Sequence, residues 1–230
     1  MPILILGKRF SGAIERRMQA ALAQCRLPSG WKGQRVLRGM NRRHSRVTDW
    51  GMSQVAIRIS DTVLDVGCGG GRTLAKLAAL ASEGGVSGVD HSPASVAMAA
   101  RLNREAIASG RIEVREASVE RLPYPNGSFD VATAIETHFW WPDIGAGLRE
   151  IRRVLKPGGR LALIAEVHRG ANGRGAKFAE RFLPAAGLKL LSADEHREIL
   201  AAAGFNSIRV VTQGAWICAT GSLAVGSESK

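Results

Sequence analysis

An apolar run that ends in a cluster of glycines constrains the fold of this chain more than any other feature. The run covers residues 62–66, and the turn after it reads Gly67-Cys68-Gly69-Gly70-Gly71. A periodicity typical of an amphipathic helix begins at Arg72. A buried strand, a glycine-rich turn and a helix in this order place a nucleotide-like ligand at the carboxyl end of the strand, facing the helix N-terminus.

The glycine spacing does not by itself identify the ligand. A nicotinamide-cofactor fingerprint needs a third glycine at position 72, where this chain has Arg72. The chain carries instead an acid, Asp65, two residues before the first glycine. Asp65 is open to two interpretations, either a turn or capping carboxylate or an acceptor for a cationic or hydroxylated ligand.

After residue 60 the sequence alternates between strand-like and helix-like segments. Strands are predicted at 62–66, 86–89, 112–115, 131–135, 160–166, 207–212 and 215–219. Helices are predicted at 72–82, 93–109, 143–155, 176–183 and 192–203. This alternation predicts an α/β fold with a Rossmann-like, doubly wound, seven-stranded sheet that is mostly parallel. The turn at 213–214 is short enough for a hairpin, so the last strand is predicted to be antiparallel.

The N-terminal segment differs from the rest in charge and in pattern. Residues 1–60 hold twelve Lys or Arg and two acids, and so carry most of the net charge of +12. Helical spacing at 9–24, 31–44 and from Thr48 or Asp49 to Ile59 predicts a helical lid. We therefore predict a basic extension at 1–60, a ligand-binding domain at 61–221 and a flexible tail at 222–230. The basic surface is either a solvated helix face or an attraction for an anionic substrate, nucleic acid or membrane surface.

Length and cysteine usage bound the class of protein. The 230 residues suffice for one domain with a modest extension, and no apolar stretch approaches the ~18 residues of a membrane span. Cys25, Cys68 and Cys218 lack paired spacing, so neither a disulfide framework nor a metal site is predicted. A cytoplasmic location is the expectation.

Five segments in a fixed order carry a family resemblance. They read VLDVGCGGGRT at 63–73, GVSGVDHSPAS at 85–95, LPYPNGSFDVATAIET at 122–137, LREIRRVLKPGGRLALIAE at 148–166 and LSADEHREILAAAGF at 191–205. Together they resemble the class I S-adenosylmethionine-dependent methyltransferases of small molecules, similar to the ubiquinone and menaquinone biosynthesis group. The resemblance implies an enzyme that transfers a methyl group from S-adenosylmethionine by in-line displacement and releases S-adenosylhomocysteine.

The resemblance also implies a cofactor site. The glycine turn would pack against the methionine part of the cofactor, with Asp65 near the ammonium group, and Asp90 would accept from the ribose hydroxyls. Asp90 could alternatively cap the following helix, but Ser92 already supplies a cap. The implied cofactor residues are Asp65, Gly67, Cys68, Gly69, Gly71, Thr73, Asp90, His91, Ser92, Ser118, Val119, Glu120, Ile135 and Glu136.

The loop after the third strand departs from the family pattern. Relatives usually have an aspartate there that accepts from the adenine amino group, whereas the alignment back from Leu122-Pro123 puts Ser118 at that position. A serine can hydrogen-bond the adenine edge without a charge. His91, beside Asp90, is either a residue that lines the adenosine site or an exposed loop histidine.

The end of the fourth strand is where the resemblance places the methyl-transfer chamber. The sequence there is His138-Phe139-Trp140-Trp141, and aromatic walls favour a cationic sulfonium. His138 is the candidate general base, with a structural hydrogen bond as the alternative. The candidate acceptor-binding residues are Asn41, His44, Trp50, Trp140, Trp141 and Glu166, of which those in the extension could instead be ordinary lid packing.

Three hypotheses follow for function. The first is a methyltransferase of a small-molecule acceptor, and it predicts an enclosed aromatic chamber. The second is an RNA or protein methyltransferase with Arg38, Arg42, Arg43 and Arg46 grouped at an open channel. The third is a non-catalytic relative in which His138 and Trp140 turn away from the cofactor. The atom that is methylated and the oligomeric state stay open at this level.

Overall fold

The computed structural model describes residues 12–184 and 187–225, and within them the chain forms one seven-stranded sheet. The strand order is β3-β2-β1-β4-β5-β7-β6. Strands β1 to β5 pair in parallel, and β7 pairs antiparallel with both β5 and β6. The predicted α/β fold, with its mostly parallel sheet and antiparallel last strand, is confirmed.

The strands lie close to where the apolar runs predicted them. Their bounds are β1 Val63–Val66, β2 Val86–Asp90, β3 Ile112–Glu116, β4 Phe129–Ile135, β5 Leu155–Ala165, β6 Asn206–Gln213 and β7 Trp216–Ser222. Strand β5 begins five residues before the predicted start. Its register against β4 shifts between Phe129 and Val131, so the Pro-Gly-Gly segment is included in the strand as an irregularity.

Nine α-helices and one 3₁₀ turn accompany the strands within the described residues. The helices are α1 Gly12–Arg26, α2 Gly30–Arg43, α3 Ser45–Met52, α4 Arg72–Leu80, α5 Pro93–Leu102, α6 Arg104–Ala108, α7 Ile144–Val154, α8 Arg174–Phe182 and α9 Ala193–Ala202. The 3₁₀ turn spans His138–Trp140. None of the helices in the described part of the chain is long and apolar enough to cross a lipid bilayer.

Two helix predictions were wrong in detail. The helix predicted at 93–109 is broken into α5 and α6 at Asn103, whose buried side-chain amide donates to the carbonyls of Gly71 and Ala99. The third lid helix starts at Ser45 rather than at Thr48 or Asp49, and it ends at Met52 rather than at Ile59. There the Ser53 hydroxyl donates to the Trp50 carbonyl, and Val55 packs into the core.

The core has a layer of helices on each face of the sheet. On one face Leu148 and Ile151 of α7 and Leu200 of α9 pack against β1, β4 and β5. On the other face Leu74 and Leu77 of α4 pack against β1 and β2. The sandwiched sheet fixes the ends of β1, β2 and β4, which lie side by side and carry the candidate site.

Helices α1 to α3 are attached to this sheet layer at several points. Helix α3 lies close against β5, because a Cβ on Gly51 would be 2.5 Å from Ile164 Cγ2. Lys76 of α4 forms an ion pair with Asp49 of α3. The Ser92 hydroxyl at the start of α5 donates to the carbonyl of Pro28, in the loop between α1 and α2, at 3.0 Å. These contacts hold the N-terminal helices over the carboxyl edge of the sheet.

Candidate functional site

The glycine turn after β1 has the backbone that its sequence predicts. Gly67, Gly69 and Gly71 all have positive φ, which other residues adopt at a cost. A Cβ on Gly67 would lie 2.2 Å from the Thr137 hydroxyl, and one on Gly71 would meet Ala99. A Cβ on Gly69 would meet nothing within 4 Å. Gly67 and Gly71 are therefore needed for packing, whereas Gly69 faces open space at the carboxyl edge of the sheet.

Asp65 is a buried carboxylate at the bottom of this turn. Its side chain accepts a 2.7 Å hydrogen bond from the Thr133 hydroxyl of β4. Burial raises the pKa of Asp65 to about 7, and the hydrogen bond opposes that rise. Asp65 lines a cavity, and its hydrogen-bond partner is a neutral hydroxyl that cannot balance its charge. A ligand with a positive charge would stabilise this buried carboxylate.

Asp90 ends β2 and connects the glycine turn to the next helix. Its Oδ2 accepts from the Gly69 N–H and its Oδ1 from the Ser92 N–H, both at 2.9 Å. The Ser92 hydroxyl accepts from Ser95 N–H and so caps α5, as the sequence predicted. Each carboxylate oxygen of Asp90 has a second lone pair, which leaves it able to accept from a ligand hydroxyl.

Two adjoining cavities form a cleft along this edge, which we call the glycine-turn cleft. The first, of about 100 Å³, lies over the turn, and the second, of about 280 Å³, extends past β2 and β3. Both are lined by Arg26, Gly67, Asp90, His91, Thr137 and Trp140, so they form one continuous groove. Cys68, Gly69, Thr73, Ile135 and Glu136 line its first part.

The loop after β3 contributes two of its three predicted residues to this cleft. Ser118 and Val119 line the second part, and Val119 also packs in the core. The Ser118 hydroxyl oxygen accepts from Glu120 N–H, which leaves its proton for an acceptor on a ligand. Glu120 points elsewhere, since its carboxylate accepts from Asp143 N–H at the start of α7. Gly71 and Ser92 support the cleft without lining it.

A larger and mostly apolar cavity, of about 580 Å³, adjoins the glycine-turn cleft. We call it the apolar cavity. Its walls include Leu22, Met40, Phe139, Val167, Phe178, Ala179, Leu183 and Leu188, which come from α1, α2, the 3₁₀ turn, α8 and the segments around α8. Cys25, Met40, His44, Glu136 and Trp140 line both the apolar cavity and the first part of the cleft. A ligand in one space can therefore reach a ligand in the other.

Three polar side chains gather where the two spaces meet. One nitrogen of His44 and one carboxylate oxygen each of Glu136 and Glu166 lie within 4.8 Å of one another. Glu166 Oε1 lies 2.6 Å from Arg43 Nη2 and 3.8 Å from His44 Nε2. The Glu166 N–H donates to Glu136 Oε1.

Burial and mutual repulsion set the protonation of this group. Burial, reinforced by the Glu166 charge, raises the pKa of Glu136 well above its usual range. Burial lowers the pKa of His44, although the Glu166 carboxylate opposes the change. Glu136 also has a positive φ of 59°, a strained conformation for a residue with a side chain. That turn directs its carboxylate toward Glu166 and leads the chain into the 3₁₀ turn.

His138 lies in the core behind the site. Its Nε2 is 3.0 Å from Nε2 of His196, and the His196 Nδ1 bonds the Ser192 carbonyl at 2.7 Å. Because a carbonyl only accepts, His196 carries its proton on Nδ1, and His138 donates through Nε2. His138 is 2% exposed and is absent from the residues that line the cleft and the apolar cavity. This geometry favours the structural alternative for His138 over the general base.

The aromatic candidates separate into three groups. Trp140 lines both parts of the cleft and the apolar cavity. Trp141 contacts the second part of the cleft but is mainly a core residue. Trp50 packs against Trp216, at 5.8 Å between ring centroids, and lines neither the cleft nor the apolar cavity. Asn41 lies on α2, and its side chain is outside the part of the structure that is described.

Much of the apolar cavity was not predicted from the sequence. Phe178, Ala179 and Leu183 come from a segment that was predicted only as a helix, and Val167 and Leu188 come from the segments that flank it. Met40 and Cys25 were not singled out either. The helical pattern of 174–182 was a usable signal for an amphipathic wall, but nothing in it showed which surface it would cover.

The arginines of the N-terminal helices that were expected to group at one channel have different surroundings. Arg43 pairs with Glu166 at the apolar cavity, whereas the Arg46 guanidinium lies 5.9 Å from the ring centroid of Trp216. Arg38 is exposed on α2, and the side chain of Arg42 is outside the described part. Arg43 and Arg46 therefore have different partners, so these two arginines do not line a common groove.

Comparison with known proteins assigns the central part of this chain. Residues 64–163 match a protein family described as a methyltransferase domain. The 27-O-demethylrifamycin SV methyltransferase of Amycolatopsis mediterranei is 37% identical over 119 residues, covering 52% of this chain and 43% of that protein. The O-methyltransferase cnsE of Penicillium expansum is 33% identical over 164 residues, covering 68% of this chain and 58% of that protein.

A solved structure extends the likeness to the fold. A SAM-dependent methyltransferase from Aquifex aeolicus superposes with a TM-score of 0.64 at 22% identity, covering 83% of this chain and 97% of that one. The match to the two curated relatives spans about half the length of each. The matched family segment includes the glycine turn, Asp90 and the end of β4.

Proposed function

We propose that the chain, which carries a class I S-adenosylmethionine-dependent methyltransferase domain, transfers the cofactor's methyl group to an oxygen of a small, largely apolar acceptor. The observation that carries this proposal is the junction of two spaces, the glycine-turn cleft and the apolar cavity, at His44, Glu136 and Trp140. A cofactor in the first and an acceptor in the second would meet there.

The residues of the cleft fit the cofactor in charge and in shape. Asp65 offers a buried negative charge near the glycine turn for an ammonium group. Asp90 ends β2, where a carboxylate accepts from ribose hydroxyls in related nucleotide-binding sites. Ser118 and Val119 would then flank the base. S-adenosylhomocysteine, the product, fits the same groups.

Bound S-adenosylmethionine would supply a methyl group activated by a sulfonium, with the sulfide of S-adenosylhomocysteine as the leaving group. The chain's own residues supply position and environment for that displacement. Trp140 and Met40 place apolar surface at the junction, where it would exclude water. The mostly apolar wall of the larger cavity favours an aromatic or polyketide-like acceptor over a charged polymer.

An oxygen acceptor is supported by the relatives and by the charge at the junction. The two relatives reported above are named for transfer to oxygen. Glu166 and His44 provide acceptors for a hydroxyl proton at the rim of the apolar cavity. The alternative of an RNA or protein substrate is less well supported, because Arg43 is already paired and Arg46 covers Trp216. We also infer a cytoplasmic location, supported by three unpaired cysteines.

A transfer assay with methyl-labelled S-adenosylmethionine tests the proposal. The chain is incubated with a panel of phenols and hydroxylated polyketides, and with RNA and protein as separate arms. Label in a small hydroxylated compound is expected, with loss of most activity in Trp140→Ala and full activity in Trp31→Ala, whose side chain is exposed and outside the cavities. Label only in RNA or protein, or no transfer by a chain that binds the cofactor, contradicts the proposal.

A further inference from the structure

We propose that His44, Glu136 and Glu166 bind a divalent metal ion at the junction of the glycine-turn cleft and the apolar cavity. No metal site was predicted from the sequence. The three come from separate parts of the chain: His44 lies between α2 and α3, Glu136 follows β4, and Glu166 follows β5. The fold brings one donor atom of each within 4.8 Å of the others.

The donor atoms converge without bonding one another. His44 Nε2 and Glu166 Oε1 are 3.8 Å apart, which is too long for a hydrogen bond. Two ligands held about 2.1 Å from one ion can be at most about 4.2 Å apart, so this pair already fits. The other donor pairs are at most 4.8 Å apart, and the terminal torsions of Glu and His side chains are broad enough to bring them closer.

The arrangement also brings two carboxyl groups close together in a small space. Glu136 is 9% exposed, and its carboxylate faces that of Glu166 across this small space. Two carboxylates at such a distance repel each other unless a proton or a cation lies between them. The Glu166 N–H holds Glu136 Oε1 in place, so the buried ligand is oriented in advance.

Arg43 is the competing cation. It contacts Glu166 Oε1 at 2.6 Å, but its side chain is 72% exposed. An exposed arginine pair contributes little and exchanges readily with solvent. Arg43 therefore balances part of the charge of Glu166 in the metal-free protein and can move aside when an ion binds.

The donor set indicates the kind of ion. One imidazole nitrogen with two carboxylate oxygens suits a first-row divalent ion such as Mn²⁺ or Zn²⁺ better than an all-oxygen ion such as Mg²⁺. Three protein ligands leave coordination positions open, and Glu166 and His44 border the apolar cavity. If the proposed function holds, an acceptor with two neighbouring oxygens would complete the shell, and its hydroxyl would lose its proton to water more easily.

Manganese titration followed by electron paramagnetic resonance tests the site on the full chain, without cofactor or acceptor. The signal of hydrated Mn²⁺ is lost on binding, so free and bound ion are counted directly. We expect one Mn²⁺ per chain, displaced by Zn²⁺ and weakly by Mg²⁺. Glu166→Gln is expected to weaken binding by at least about tenfold, because a charged ligand is lost. Glu105→Gln is the matched control, since this exposed glutamate pairs only with Arg104 among the described ion pairs.

A second variant separates metal binding from a purely structural role. Arg43→Ala removes the competing cation and is expected to tighten Mn²⁺ binding severalfold, whereas a structural ion pair would show no such gain. Absence of Mn²⁺ binding by both the unmodified chain and Arg43→Ala would overturn the proposal, as would equal binding by Glu166→Gln. Since no methyl transfer is measured, these outcomes are independent of the proposed function.

Discussion

The hydroxyl of Thr133 donates a 2.7 Å hydrogen bond to Oδ1 of Asp65, across the pairing of β4 with β1. The pair lies directly beneath the glycine turn and is fully buried. A hydroxyl orients the carboxylate but cannot balance its charge. Burial of the Asp65 carboxylate therefore costs free energy, at the point where the proposed cofactor would present its ammonium group.

Replacing Asp65 is expected to make the protein more stable and, at the same time, to abolish cofactor binding. The folded-state pKa is about 7, above the ordinary value of 3.8, so the folded protein holds this proton more tightly than the unfolded chain. The contribution of Asp65 to the free energy of unfolding is fully present below about pH 4 and is lost as the pH rises through 7. Asp65→Asn is expected to raise the free energy of unfolding at pH 8 by about 1–3 kcal/mol. Cofactor binding is expected to be lost in the same variant.

Urea unfolding at pH 5 and pH 8 measures the change in unfolding free energy. Asp130→Asn is the control, for which the change at pH 8 is expected to have the opposite sign. Asp130 is partly buried, yet the hydrogen bond from Lys156 and those from Thr62 lower its pKa. Its contribution is therefore present above the unfolded pKa and lost in acid, so its removal lowers stability at pH 8. A destabilised Asp65→Asn at pH 8 would show that the carboxylate is not under strain.

Alanine substitutions at two glycines with similar φ angles are expected to differ in their effect on stability. Gly67 has φ 77° and would place a Cβ 2.2 Å from the Thr137 hydroxyl, whereas Gly127 has φ 64° with nothing within 4 Å. Both Ala variants incur about 1–2 kcal/mol of left-handed backbone strain. Gly67→Ala is expected to lose at least about 1–3 kcal/mol more, from overpacking.

Thermal or urea unfolding of the two glycine variants gives that difference. Gly67→Ala is also expected to lose affinity for the cofactor, because Thr137 lines both parts of the cleft and would be displaced. Gly127→Ala, away from the cleft, is expected to keep it. Equal stability of the two variants would mean that the turn can relax around the added methyl group.

The buried position of His196 is expected to lower the free energy of unfolding in acid. Burial lowers its pKa below the usual 6.5, although the hydrogen bond to the Ser192 carbonyl opposes the change. The folded protein binds this proton less tightly than the unfolded chain, so stability is lost as the pH falls below about 6.5. His196→Gln is expected to show a smaller difference in unfolding free energy between pH 7.5 and 5 than the unmodified chain does.

The His196 variant also tests whether the histidine pair is remote from the chemistry. Neither His196 nor His138 lines the cleft, so the variant is expected to bind S-adenosylhomocysteine normally at pH 7.5. An unchanged pH dependence of stability would contradict the role given to His196. Loss of cofactor binding by a folded variant would instead link the pair to the site.

The fold and the shape of the glycine turn were largely predictable because their signals are local. The strand, glycine turn and helix around Gly67, the cap at Ser92 and the carboxylate of Asp90 are each contained within a few residues. The glycines also indicate the backbone conformation of the turn, because glycine adopts the positive φ angles found there without a steric cost. The right-handedness of the crossover connections then limits the arrangements that the parallel strands can adopt.

The junction and the helix break were not predictable, because they depend on distant contacts. His44, Glu136 and Glu166 meet only after three segments have folded together. Asn103 breaks a regular helical pattern because its amide bonds the carbonyl of Gly71, 32 residues earlier. For His138 the sequence left catalytic and structural roles open, and the choice depends on where His196 lies.

A calorimetric titration of the full chain with S-adenosylhomocysteine tests directly whether the cofactor binds against Asp90. It is made on the unmodified chain, on Asp90→Asn and on Asp194→Asn, an exposed aspartate of α9 as control. We expect micromolar binding by the unmodified chain and the control, and a loss of at least about tenfold, or about 1.4 kcal/mol, in Asp90→Asn. Equal binding by all three chains would contradict the placement of the cofactor against Asp90.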